Sequence, residues 1–225
     1  MVSSKHSRVP AAAAGANENW TGKRGRTRRS MLDSTFRLIG HEHGLNVRIE
    51  EICADAGVSR GTFYNYFASL DELFQTLALD LSHDFNHAVL ATLATIESRA
   101  ERTNAAIQHY LKRARRDPAW GWAMAHLSAT GPFFGRESYD ACGKTLSEGI
   151  KAGEFDLPSM QLGRDMVMGT ILAAMITILR DEGGARTHPR HVAHYLLRAL
   201  GVPDVCAHAI AESSLPDVLA VRQAE

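Results

Sequence analysis

The sequence predicts an all-α fold, with a small N-terminal three-helix unit followed by a larger helical body. Three observations carry this. Apolar residues recur at helical spacing, as in Leu73, Leu77, Leu81 and Phe85. No segment shows the strict alternation of a half-buried strand, and there is no internal repeat. Residues 49–74 read as two short helices joined by a tight turn, then the start of a third.

Each element follows from local signals. Residues 1–26 are rich in Ala, Gly, Ser, Asn and basic side chains without an apolar stripe, which predicts a disordered basic arm. From Arg28 to His43 the spacing Leu32, Thr35, Phe36, Ile39 predicts an amphipathic helix stopped by Gly44. Ile49, Ile52 and Ala56 share one face of the next short helix, and Gly57 ends it. Ser59 is a good cap for the following helix, on which Phe63 and Phe67 lie four apart and face the core. Ser69 and Glu72 form a capping-box pattern that opens a long helix reaching toward Glu97. Residues 101–151 hold two or three helices, with breaks at Asp117-Pro118 and Gly131-Pro132. An apolar helix over about 158–181 ends at Gly183-Gly184. His188-Pro189 opens a last helix with Val192, Tyr195, Leu196, Ala199 and Leu200 on one face. The domains expected are the arm (1–26), a head (27–75), a body (76–202) and a tail (203–225).

Charge distribution constrains the partner. Hydrophobic residues make up 45% of the 225, ample for a core, and the formal net charge is zero. Residues 1–30 nevertheless carry seven basic side chains against Glu18 alone, while residues 31–76 carry three basic against seven acidic. A head of this kind leans on the arm for attraction to a polyanion. The three cysteines, Cys53, Cys142 and Cys206, suggest neither a disulfide framework nor a CxxC site, which fits a reducing cytoplasm. No secretory signal is visible. The longest apolar run, Met166–Leu179, spans 14 residues, whereas a membrane span needs about 20. Cytoplasmic placement without a membrane is therefore expected.

The second helix of the motif carries Arg60, Gly61, Thr62, Tyr64, Asn65 and Tyr66 on the face away from its phenylalanines. Tyrosine and threonine hydroxyls suit phosphate oxygens, asparagine suits an adenine edge and arginine suits guanine. Gly61 lets the helix start approach a backbone closely. This is the shape and chemistry of a helix-turn-helix that enters a DNA major groove.

The stretch AGVSRGTFYNYFASLDELF resembles the DNA-binding signature of the tetracycline-repressor (TetR) family of bacterial transcription regulators, over about residues 28–75. The resemblance implies a three-helix DNA-binding domain, a helical ligand-binding and dimerisation domain, and repression of a palindromic operator until a small-molecule effector binds. Some relatives activate instead. By position it places Arg60, Gly61, Thr62 and Asn65 near bases and Tyr64 and Tyr66 near phosphates, with Ser59 at the helix start. Arg48 departs from the Thr or Ser of many members; it cannot cap, but its guanidinium can bond a phosphate. Leu70 replaces a frequent Lys and removes a phosphate contact.

The body offers a dimer interface and a pocket. The helix over about 160–181 is apolar nearly all round, and Gly169 and Ala173 permit close approach of another helix. With the helix over about 189–201 it is expected to form a four-helix interface with a second copy. Two recognition helices about 34–36 Å apart then read successive major-groove faces. The resemblance implies an effector cavity, for which Tyr110, Trp120, Trp122, His126 and Phe133 are the candidates. No cofactor is implied. The rival reading is an enzyme: His83 and His87 lie one helical turn apart, a spacing that suits a metal-dependent hydrolase. That pair has Asp84 where zinc proteases have Glu and no third ligand placed by sequence. GxSxG, a phosphate-binding glycine loop and a CxxC pair are all missing, so no enzymatic activity is expected.

Overall fold

A computed structural model describes residues 22–128, 134–180 and 186–218. Among these residues the regular structure is entirely helical. The head comprises α1 (Gly22–Ile39), a single 3-10 turn (Gly44–Asn46), α2 (Ile49–Ala56), α3 (Arg60–Tyr64) and the opening of α4 (Leu70–Ala94). The body adds α5 (Arg99–Arg116), α6 (Pro118–Leu127), α7 (Arg136–Lys151), α8 (Met160–Leu179), α9 (His188–Ala199) and α10 (Asp204–Glu212).

Side-chain caps set most helix starts. The oxygens of Ser59, Ser69, Ser98, Asp117 and Ser159 each accept the backbone N–H three residues on, satisfying a donor that the helix itself cannot. Glu72 adds a bond from the N–H of Ala68 at 2.6 Å, one residue earlier than a capping box requires. Gly57 ends α2 at φ +66°, a conformation that costs a residue with a Cβ more than glycine.

Two apolar clusters form, and α6 belongs to both. In the head, Met31, Leu32, Ile52, Phe63, Phe67, Leu73 and Leu77 pack with Ala123 and Leu127 of α6. In the body, Trp120 and Met124 of the same helix pack with Tyr110, Leu111, Phe134, Ile171 and Met175. Hydrogen bonds cross the same seam. His126 Nδ1 donates to the carbonyl of Ile39 at 2.9 Å, and Arg180, the residue that caps the end of α8, pairs with Glu42 at 2.7 Å.

Several expectations need correction. Residues 22–26 of the basic arm are helical and begin α1; residues 1–21 lie outside the described residues. Lysine and arginine are good helix formers, and Arg24 lies over the Tyr66 ring at 5.7 Å while Arg28 lies over Phe67 at 5.6 Å. These two contacts cover the opening of α1 with aromatic rings of the head. The tail contains α10, whose Ala207 and Ala211 pack into the body core. Two alanines four apart after Pro203 were the available signal. Helix α8 spans 20 residues, six more than the apolar run, and is long and apolar enough to cross a membrane by length and composition. Here it packs on α5, α6, α7 and α9, which leave one face uncovered.

Candidate nucleic-acid interface and body cavity

The motif places Ser59, Arg60, Gly61, Tyr64 and Asn65 at the surface, with Thr62 and Tyr66 half-buried beside them. The two phenylalanines turn inward: Phe63 and Phe67 are almost fully buried, and their rings sit 5.8 Å apart. The helix is shorter than its aromatic spacing suggested. It spans five residues, so Asn65 is the residue just after it and Tyr66 and Phe67 lie in the following turn. Only five residues separate Tyr64 from α4, and the last of them, Ser69, is already committed as the cap of α4. Ser59 caps the helix: its hydroxyl accepts the Thr62 N–H at 3.0 Å and lies 2.9 Å from the Thr62 hydroxyl.

Charge pairing within the head sets which cations meet a ligand first. Arg60 is bound by Glu50 at 2.6 Å, an α2 residue that the sequence reading missed. Its guanidinium is held charged first by the Tyr64 hydroxyl and then by Glu50. Glu50 and Arg60 sit at the starts of α2 and α3, which the motif brings side by side. Arg48 is exposed, and the Glu51 carboxylate accepts its backbone N–H at 2.7 Å. That bond, followed by one from the Arg48 side chain, holds the Glu51 carboxyl below its usual range. Glutamate at the third position thus closes the start of α2 although arginine cannot. Arg37 reaches Asp55 and Ser34, locking α1 to α2. Arg29 bridges Asp33 and Asp80, each at 3.0 Å, locking α1 to α4.

Helix α4 runs from this surface to a cavity in the body. The cavity measures about 210 Å³ and lies between α4, α5, α7 and α8. Leu90, Leu93, Ala106, Cys142, Val167 and Ile171 make most of its wall apolar. Its polar end holds a buried network: the Tyr110 hydroxyl donates to Asn86 Oδ1 at 2.6 Å and lies 2.6 Å from the Ser138 hydroxyl. Asn86 in turn donates to the carbonyl of Phe134 at 2.8 Å. Burial pushes the Tyr110 phenol well above its ordinary range, so it stays protonated and donates. Burial also pushes the Cys142 thiol up to about 12, which leaves it a neutral, soft apolar surface. Arg102 lines one edge but is paired with Glu148 at 3.2 Å. The lining therefore suits a small, uncharged, mostly apolar molecule.

Of the pocket candidates, Tyr110 lines this cavity. Trp120 does not: it is core, and its indole N–H donates to the carbonyl of Leu81 at 3.1 Å. Trp122 and His126 stack on each other at 5.8 Å, with His126 bonded across the seam between head and body. Phe133 lies outside the described residues. His83 and His87 face solvent on α4 with ring centres 5.8 Å apart. No third His, Cys, Asp or Glu joins them in a metal-binding arrangement among the described residues.

Comparison with known proteins follows the same division. Residues 31–77 match the model for bacterial regulatory proteins of the tetR family, and residues 98–213 match the tetracyclin repressor-like C-terminal domain. The transcriptional regulator BetI of Agrobacterium fabrum is 30% identical over 80 residues, which cover 36% of this chain and 39% of BetI. The chain thus spans about two fifths of the length of the curated relatives it matches. RolR in complex with resorcinol superposes with a TM-score of 0.70 at 27% identity, covering 88% of this chain and 98% of RolR. FadR of Bacillus subtilis in complex with stearoyl-CoA shares the fold with a TM-score of 0.59 at 19% identity, over 76% of this chain and 96% of FadR. Together the two family matches account for the head and the body in their observed order, and the chain belongs to the TetR family of DNA-binding transcription regulators.

Proposed function

We propose that this protein is a homodimeric repressor that holds a palindromic operator and releases it when a small neutral aromatic molecule enters the body cavity. One observation carries the ligand response: α4 starts at the DNA-binding motif and ends as the wall of the cavity, through Leu90, Leu93 and Ala94. A molecule seated there presses on the same rigid rod that positions α3. Apo and bound states then differ in operator affinity, a coupling of typically 1–3 kcal/mol.

Base reading is assigned to Arg60, Gly61, Thr62 and Asn65, and phosphate contact to Arg48, Ser59, Tyr64 and Tyr66. The basic turn at Lys23, Arg24 and Arg26 supplies the attraction that the acidic head lacks. The dimer is assigned to α8 and α9. Leu162 and Tyr195 are 43% and 62% exposed, and nothing lies within 4 Å of where a side chain on Gly169 would begin. Such an uncovered apolar strip fits a second copy. A phenol is the ligand class favoured, because RolR, at 27% identity, is seen with resorcinol and the cavity here pairs an apolar wall with a buried phenol–amide–hydroxyl network.

The test is a gel shift of the purified protein on DNA flanking its own gene, with and without resorcinol. The expected result is a retarded band that weakens with salt and with resorcinol. Ala106→Phe, which fills the cavity, abolishes the resorcinol effect and keeps the band. Absence of any shift at low salt would remove the regulator of a neighbouring operator from consideration. An increase of transcription on binding would make the protein an activator at the same site.

A further inference from the structure

The polar groups at the end of the body cavity form a chain in which every proton has a fixed place. A carbonyl oxygen only accepts, so the Asn86 amide atom that meets the Phe134 carbonyl at 2.8 Å is the nitrogen. The amide oxygen therefore faces the Tyr110 hydroxyl at 2.6 Å, and the phenol spends its single proton on it. The Ser138 hydroxyl also lies 2.6 Å from the Tyr110 oxygen, and the bond between them must use the serine proton. Burial keeps Tyr110 protonated, so this order does not reverse with pH.

What remains at the cavity is the Ser138 oxygen. It accepts no hydrogen bond among the described residues. Ser138, Ala141, Cys142 and Thr145 all line the cavity, at the i, i+3, i+4, i+7 spacing of one face of α7, so this side chain stands on the cavity side of its helix. Its oxygen takes a proton and has none to give. A ligand oxygen without a proton, buried against it, meets another lone pair and stays unpaired, which costs affinity. The other polar side chains of the lining lie elsewhere. Thr103 and Thr145 are seven residues from Tyr110 and Ser138, about 10 Å along their helices. Arg102 donates to the Ile96 carbonyl at 2.7 Å and to Glu148 at 3.2 Å, and Lys144 lies 3.9 Å from the same Glu148.

Taking this cavity as the effector site proposed above, we infer that Ser138 selects effectors by their proton: a neutral phenol, alcohol or aryl amine donates to Ser138 Oγ, and an ether or ketone of the same size is rejected. A phenolate is rejected for the same reason. The bound proton extends a chain that ends on α4, from ligand to Ser138, from Ser138 to Tyr110 and from Tyr110 to Asn86.

Calorimetric titration of the full chain with 3-methylphenol and with its isomer anisole tests this. The two hold the same atoms, but only the first has an O–H. The expected result is 3-methylphenol tighter by about tenfold, the difference between a buried hydrogen bond made and an acceptor left unpaired. Ser138→Ala closes most of that gap by weakening 3-methylphenol. Tyr110→Phe frees the serine proton and narrows the gap from the other side, by tightening anisole; it decides alone should Ser138→Ala not fold. Equal binding of the isomers to the wild type, or a gap of wild-type size in either variant, would overturn the proton rule while leaving an aromatic effector in place. No binding of either isomer or of resorcinol would overturn the rule and the effector site together. Isomer-selective binding that leaves the operator band unmoved in the gel shift would uphold the rule and count against the repressor alone.

Discussion

The imidazole of His126 donates from Nδ1 to the carbonyl of Ile39 at 2.9 Å, so one residue of the body holds the last turn of the first head helix. Burial lowers the pKa of this ring, outweighing the carbonyl bond, which favours the charged form. The folded state therefore prefers neutral His126, and the unfolded state binds the extra proton first. Stability is expected to fall as pH drops through the window below the unfolded value of about 6.5. His109 and His188 are lowered by burial as well and add to the trend. Thermal melts between pH 7.5 and 5.5 will show a falling Tm, and His126→Gln, which is not protonated in this range, will flatten part of that slope. A slope unchanged by the substitution would clear His126 of the effect.

If Arg60 reads DNA as proposed, Glu50 competes with DNA for it. Glu50→Gln removes the ion pair at 2.6 Å and a carboxylate that repels phosphate. Operator affinity is expected to rise by about threefold to tenfold at low salt, in keeping with about 1 kcal/mol for an exposed charge pair. Fluorescence anisotropy on a labelled operator measures it. A loss of affinity would mean that Glu50 positions Arg60 for reading rather than restraining it.

Asn65 and Tyr64 should fail differently. Asn65→Ala is expected to cost about 1–3 kcal/mol on the operator and little on random DNA, because an amide reads a base edge. Tyr64→Phe should weaken both DNAs alike, as loss of a phosphate contact does. Paired titrations on the two DNAs separate the roles, and equal losses for Asn65→Ala would take it out of base reading.

The basic opening of α1 should show itself in salt dependence. Replacing Arg24 and Arg26 with alanine is expected to shallow the slope of log affinity against log salt by about one unit per lost phosphate contact. An unchanged slope would leave these arginines structural, with Arg24 serving mainly as a cover for Tyr66.

Gly201 follows α9 at φ +96°, and a Cβ there would lie 2.6 Å from the backbone nitrogen of Asp156. That nitrogen donates to the carbonyl of Leu200 at 2.9 Å, so the approach is fixed by a bond. Gly201→Ala is expected to destabilise the chain by about 1–3 kcal/mol, measured by denaturant unfolding. A neutral result would show that the segment at 153–157 moves aside freely.

The motif was legible in the sequence because its determinants are local. Gly57, Ser59, Phe63 and Ser69 each act within four residues of themselves. The all-helical body was legible for the same reason, from capping residues and apolar spacing. The cavity was not. It exists where small residues of α5 and α7, such as Ala106 and Ala141, face larger ones on α4 and α8, and no sequence interval encodes that meeting. Aromatic content pointed instead at Trp120 and Trp122, which large size sends to the core and to the seam. The Arg60–Glu50 pair had a readable clue, since the turn of the motif brings the two helix starts together.

Helix α6 contributes Ala123 and Leu127 to one core and Trp120 and Met124 to the other. Neither lobe can therefore melt while its neighbour stays intact, and calorimetry should record a single cooperative unfolding peak. The same sharing limits engineering. A chimera that grafts this reading head onto a foreign sensor will stand only if the strut beneath it is transplanted too.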